Sequence, residues 1–363
     1  MTSLYIAHTP YHVVLASALA SEHDETEGDQ HLLGILDSDM EPMLESIRGA
    51  HDNPFDEVRT LAGAATFASR IAHTSRLTQV RARYNCFAVR RYVADNRTNE
   101  VYSFNDQRPE DQAAFDAVTR DESLRDVRRV YVEDGTSAYT YMRREWSWFE
   151  TVKMKLFYGR WRTQVEEHGS SKWVDEVYGS FPDHVRPDLR TRPVSALPRE
   201  AVLALGDRSW FRRYLEACHV ADTLDELDGV VFVALSEDVD FDGEYVETIE
   251  SVIRRFADRG ERIGVKYHPR ESNEFLNLDG SSAVVLPRGI PAEVIFVANP
   301  DGIRFVLGNV STSLLTARWL CEDVTVLSLA RVFQSDFEHL ITVFESLGIR
   351  VTDSLSEVAA PPR

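Results

Sequence analysis

Short strand-forming runs alternate with helix-length segments along almost the whole chain, and this alternation restricts the fold more than any other feature. Runs at 4–7, 31–36, 55–61, 100–104 and 129–133 are separated by helical stretches at 10–21, 42–47, 65–92 and 109–119. A strand joins a parallel neighbour only through a crossover, usually a helix, so this order predicts a parallel sheet covered on both faces. The pattern resumes with strands at 229–235, 262–268, 283–287, 303–307 and 324–329, and helices at 243–257, 291–298, 311–320 and 333–347. Between the two blocks, 179–227 is rich in proline and arginine and weakly periodic, as a linker with short helices is. The expected fold is α/β: two doubly wound Rossmann-like domains facing across a cleft. These are residues 1–180 and 228–363, joined by a linker at 181–227, with the last helix packing back on the first domain. A length of 363 residues is too great for one ordinary core and suits two.

Charge narrows the partners. A net charge of −19 excludes a generic nucleic-acid binder, which needs a basic footprint. Only four lysines occur (Lys153, Lys155, Lys172, Lys266), so arginine supplies nearly all the positive charge. Abundant acid with scarce lysine is the surface expected of a protein working in concentrated salt, so a halophilic source is expected, an acidic protein from a GC-rich genome being the alternative. No apolar run is long enough to cross a bilayer, and the N-terminus enters a strand without a basic leader, so the expected location is cytoplasmic. Cys86, Cys218 and Cys321 are too scattered for a disulfide framework or a zinc site. One stretch reverses the charge: 139–162 holds Trp146, Trp148 and Trp161, further aromatics, and more basic than acidic side chains. It reads either as an amphipathic pair of segments packed on the sheet or as a patch facing a glycolipid acceptor or an anionic membrane, peripheral on the membrane's inner face.

Chemistry-bearing residues gather at strand ends, where ligands of open α/β sheets bind. The strand at 129–133 runs into Glu133-Asp134-Gly135: an acid placed for general-base work, and a glycine that permits a sharp turn. The first strand runs into His8-Thr9-Pro10, where Thr9 suits an N-cap and Pro10 the first helical position. That turn lacks Gly-x-Gly-x-x-Gly, so a dinucleotide fingerprint is absent. In the second block, Lys266-Tyr267-His268-Pro269-Arg270 ends a strand with a cationic cluster suited to phosphate, and the proline keeps His268 extended. Ser311-Thr312-Ser313 opens a helix with hydroxyls and backbone N–H groups that favour an anion. Singly, each has an ordinary structural reading: a solvated turn, a strand end, an N-cap.

In this order, the three motifs resemble the bacterial sialyltransferases. Those families share an acidic Asp/Glu-Asp/Glu-Gly motif, then a His-Pro and a Ser-Ser/Thr motif. The likeness is nearest to the family-52 glycosyltransferases, which include lipooligosaccharide sialyltransferases. The opening His8-Thr9-Pro10-Tyr11-His12, Phe104-Asn105-Asp106 and the stretch 178–186 with Phe181-Pro182 also look like that family. The resemblance implies a GT-B fold, a CMP-sialic-acid-type donor, a glycan or glycolipid acceptor, inversion at the anomeric carbon, no metal or other cofactor, and by analogy a homodimer. Asp134, or Glu133, would be the base. His268, with Lys266, Pro269, Arg270, Ser311, Thr312 and Ser313, would hold the donor and its leaving phosphate. His8, Thr9, His12, Asn105, Asp106 and Gly135 would line the acceptor side. A carboxylate beside an anionic donor is expected to have a raised pKa. The nearest metal-type pair, Asp37-Ser38-Asp39, follows the second strand and does not sit between apolar strands as a metal-holding Asp-x-Asp would. The salt-adapted composition leaves room for another nonulosonic acid as donor. The rival readings are a transferase using CDP-glycerol or a UDP-sugar, and a catalytically idle nucleotide-sugar-binding protein.

Overall fold

In the computed structural model of the chain, the described residues are 1–23, 28–63, 75–124, 126–141, 145–224, 230–235, 243–268, 276, 283–333 and 337–354. The chain divides into two compact units, Met1–Phe211 and Arg212–Arg363.

The first unit is built from strands β1 (Thr2–Ala7), β2 (Asp29–Leu36), β3 (Glu57–Ala62), β4 (Glu100–Ser103), β5 (Arg128–Val132), β6 (Glu176–Gly179) and β7 (Val194–Ala196). Its helices are α1 (Pro10–His23), α2 (Glu41–Arg48), α3 (Ser75–Asp95), α4 (Pro109–Arg120) and α5 (Trp148–Tyr158), then the short α6 (Arg199–Ala204). The sheet order is β3-β2-β1-β4-β5-β6-β7, with every pair parallel. Leu4, Tyr5 and Ile6 of the central strand are fully buried, each contributing about 1.5–3 kcal/mol on removal from water. Crossovers run one way from β1 and the other way from β4, so the β1/β4 boundary is the topological switch point. The pairing Ile6↔Ser103 and Ser103↔Tyr131 brings the residues after β1, β4 and β5 to one rim.

The second unit has β8 (Val230–Ala234), β9 (Ile263–Lys266), β10 (Val284–Val285), β11 (Ile303–Gly308), β12 (Thr325–Ser328) and β13 (Arg350–Val351) in the order β10-β9-β8-β11-β12-β13, again all parallel. Its switch point lies between β8 and β11. Helices α7 (Ser209–Ala217) and α8 (Ala221–Leu224) follow α6, the division into units falling within α7. Next come α9 (Gly243–Ala257), α10 (Ala292–Ala298), α11 (Thr312–Leu320), α12 (Ala330–Phe333) and α13 (Glu338–Ser346). Tyr245, Ile249, Val252 and Phe256 of α9 pack with Val233, Val265 and Leu307 of the sheet.

One expectation changes. The stretch 181–227 is not a plain linker, since its first thirty or so residues belong to the first unit and supply β7, the edge strand of its sheet. Prolines on both sides hid this strand. At an edge they cost no ladder bond, and the Pro193 carbonyl itself accepts the Val177 N–H at 3.0 Å. The final helix α13 packs on β13, a two-residue strand too short to show a period. The expected helix over 65–92 begins among the described residues at Ser75 and runs to Asp95; its first part lies outside them.

Candidate active site

Four strand-to-helix turns of the first unit converge at its switch point. Thr9 caps α1 as the sequence predicts, its Oγ1 accepting the His12 N–H at 3.3 Å. The turn before it places His8 in the interior, 2% exposed, between two carboxylates: Nε2 lies 2.7 Å from Asp111 and Nδ1 3.3 Å from Asp37. Burial alone would lower the His8 pKa. The Asp111 charge and hydrogen bond, with the Asp37 bond, reverse that and raise it to about 9. His8 is therefore an imidazolium at neutral pH, donating from both nitrogens. Asp111 is held in turn by Ser103 Oγ at 2.6 Å, and Asp37 is shared with Arg108 at 3.3 Å.

The His8 backbone N–H donates to His12 Nδ1 at 3.1 Å. An amide nitrogen only donates, so this bond makes Nδ1 an acceptor and puts the His12 proton on Nε2. Nε2 then donates to Asp134 Oδ1 at 2.9 Å. Phe104, just after β4, stacks on the His12 ring with centroids 4.7 Å apart and an 11° tilt, fixing its plane. The Asp134 side chain keeps 28% of its surface open, and its Oδ2 lies 3.8 Å from His168 Nδ1. Burial pushes the Asp134 carboxyl up, but His12, His168 and His8 outweigh it and hold the group below the usual carboxylate range. The expectation of a raised pKa concerned a bound anionic donor; in the chain alone the shift is downward.

Glu133 faces the other way. It is 3% exposed and accepts from Tyr139 OH, Ser180 Oγ, Ser180 N (2.8 Å) and Tyr11 OH (3.5 Å). Burial raises its pKa against these bonds. Gly135 follows in the left-handed region at φ 62°, where a side chain would be strained, and opens a 3₁₀ turn.

Asn105 and Asp106 follow β4. Asp106 is fully buried and accepts the N–H groups of Gly169 (2.7 Å) and Ser171 (2.8 Å), while burial raises its pKa to about 6. It thus clamps the loop that carries His168. Arg186, 1% exposed, clamps the same loop from below, donating to the carbonyls of Ser137, Thr140 and His168. Sequence reading missed His168 and gave Arg186 no role. A His-Gly-Ser-Ser run announces a loop but not the strand end to which it returns. Asn105 and Arg108 also line a cavity of about 500 Å³ with Trp146, Lys153, Tyr158 and Arg162. Arg162 is 5% exposed, and its Nε and one terminal nitrogen have no hydrogen-bond partner among the described residues.

In the second unit, His268 is half-buried just beyond β9, and Pro269 and Arg270 lie outside the described residues. Lys266 does not join a surface cluster. Its side chain turns inward and Nζ donates to the carbonyls of Tyr267 (2.6 Å) and Arg288 (3.1 Å), with burial lowering its pKa to about 8. Strand alternation explains this, because position 266 is still inside β9. Ser311 is the N-cap of α11, its Oγ accepting the Ser313 N–H at 3.2 Å. Thr312 and Ser313 form the half-buried first turn at the end of β11. Among the described residues, no group of three or more His, Cys, Asp or Glu is placed to hold a metal ion.

The two doubly wound parallel-sheet domains define a GT-B type fold, and solved structures share it. UDP-GlcNAc 2-epimerase from Neisseria meningitidis, bound to UDP-GlcNAc, matches with a TM-score of 0.55 at 12% identity, over 99% of this chain and 97% of that one. The α/β-galactoside α-2,3-sialyltransferase of the luminous marine bacterium Photobacterium phosphoreum matches with 0.52 at 9% identity, over 98% of each chain. Spinosyn forosaminyltransferase matches with 0.53 at 10% identity, over 99% and 88%. No curated protein sequence matches. Residues 3–330 match the alpha-2,8-polysialyltransferase (POLYST) family, and the chain belongs to that family. It is a glycosyltransferase, and membership implies a nucleotide-sugar donor and a glycan acceptor.

Proposed function

We propose that the chain transfers a sialic acid or related nonulosonic acid from a CMP-activated donor to a glycan or glycolipid acceptor, with inversion and without a metal. The observation that carries the reading is Asp134: an ionised, partly open carboxylate at the switch point, oriented by His12. An acceptor hydroxyl would attack the anomeric carbon, the bond to the CMP phosphate would break with its electron pair on phosphate, and Asp134 would take the hydroxyl proton. The donor's negative charge would raise the Asp134 pKa from its low resting value, strengthening it as a base when the donor is bound. In the second unit His268 and the Ser311-capped start of α11 would stabilise the leaving phosphate by hydrogen bonds and the helix dipole. The cavity beside Asn105, with Arg108, Lys153 and Arg162 among aromatics, suits an acidic or hydroxyl-rich acceptor.

Asp134→Asn should cut turnover by about 10²–10⁴-fold while leaving CMP-induced thermal stabilisation nearly unchanged. A variant that keeps its rate removes Asp134 from the role. Thermal shifts with CMP, CDP, UMP and UDP, in a high-salt buffer suited to so acidic a surface, test the donor. Greater stabilisation by CDP or UDP than by CMP would overturn the CMP reading and favour a different nucleotide donor.

A further inference from the structure

The first unit carries an exposed apolar and basic face that shares only Lys153 with the acceptor cavity. Helix α5 buries only Met154, while Trp148 (77%), Phe149 (63%), Val152 (44%) and Leu156 (81%) are exposed. It is a well-started helix, capped reciprocally by Ser147 and Glu150. At about 100° per residue the four apolar side chains occupy one stripe, and the exposed Lys153 and Lys155 flank it on opposite sides. Helix α3 presents a similar face, with Val80 (58%), Tyr84 (57%) and Phe87 (64%) exposed and the exposed Arg83 and Arg91 beside them. The two helices meet where the Arg83 guanidinium lies 5.5 Å from the Phe157 ring centre. Of the ten large apolar side chains exposed among the described residues, seven lie on these two helices, so this is a patch rather than scatter.

Charge decides what covers it. In a chain of net charge −19, α3 holds five arginines and one aspartate, and α5 two lysines and one glutamate. A second copy related by a two-fold axis would set this basic patch, with Lys153, Lys155, Arg83 and Arg91, against an equally basic one. An anionic bilayer has no such conflict: aromatics rest at headgroup depth, Leu156 and Val152 reach the acyl boundary, and the flanking lysines reach lipid phosphates. We infer that α3 and α5 form a docking surface for anionic phospholipid membranes, on which the protein lies peripherally. No described helix is long and apolar enough to cross the membrane.

The test is flotation of the full-length protein with vesicles of phosphatidylcholine alone or mixed with phosphatidylglycerol. The wild type should float with the mixed vesicles and bind at least tenfold less to phosphatidylcholine alone. Lys155→Glu should weaken binding by at least about fivefold, the loss expected for one lysine near such a surface. Trp148→Glu with Leu156→Glu should abolish flotation without changing the melting temperature or turnover on a soluble acceptor. Failure of the wild type to bind, equal binding to both vesicles, or undiminished binding by the double variant would each overturn the inference. So would light scattering that shows a dimer in the absence of lipid which the double variant dissociates, since the face would then join two copies.

Discussion

Raising the pH from 6.5 to 9 should destabilise the first unit through His8 alone. The folded His8 pKa is about 9, against 6.5 for an ordinary imidazole. The folded state therefore binds one more proton than the unfolded chain across that window, and stability falls as pH rises. A gap of about 2.5 pH units at about 1.36 kcal/mol each amounts to about 3 kcal/mol, present in full below pH 6.5 and lost by pH 9. The window avoids Asp106, whose pKa of about 6 confines its effect to lower pH. Lys266, in the second unit, acts in the opposite sense above about pH 8, because its folded pKa is depressed. The assay is urea unfolding read by hydrogen exchange in peptides spanning β1 and α1, for the wild type and His8→Gln at several pH values. Subtracting the variant's profile cancels groups common to both. A difference that stays flat between pH 6.5 and 9 would refute the reasoning, because His8 would then not be charged between Asp37 and Asp111.

Two further substitutions separate the roles of the neighbouring groups. His12→Phe keeps the stack on Phe104 but removes the donor to Asp134 and the acceptor for the His8 N–H. It should cost about 1–3 kcal/mol in denaturant unfolding, and the Asp134 pKa should rise, moving the acidic limb of the pH–rate profile to higher pH. Glu133→Gln turns an acceptor oxygen into a donor facing other donors, so unfolding should show a loss of roughly 1–3 kcal/mol. If Asp134 is the base, the acidic limb stays where it is in that variant; loss of the limb with Glu133→Gln would transfer the role to Glu133.

Much of the fold was legible because parallel sheets write themselves as apolar runs separated by helices, and β1 to β5 and β8 to β12 all do so. The strands that escaped, β6, β7 and β13, have two to four residues each and lie toward sheet edges, where burial imposes little pattern. The turn after β1 was legible at Thr9-Pro10, since capping is a local event. His168 and Arg186 were not, because what matters about them is a return to a strand end many residues earlier in the chain. Lys266 misled for a related reason: one residue of strand register decides whether an ammonium reaches solvent or the backbone carbonyls beneath.

The adjacent pair Glu133-Asp134 is where sequence reading stopped and hydrogen bonds supply the distinction. A carboxylate offers about four acceptor sites. Glu133 fills them with Tyr139, Tyr11 and both donors of Ser180, tying the end of β5 to the end of β6 and to α1. A proton arriving there would have to displace one of those bonds in the interior. Asp134 accepts one bond from His12 and keeps part of its surface open. The His8 amide fixes the tautomer that makes this bond, so the orientation of Asp134 is built into the first turn of the chain. Glu133 is thus suited to hold the rim together, and Asp134 to receive a proton at it.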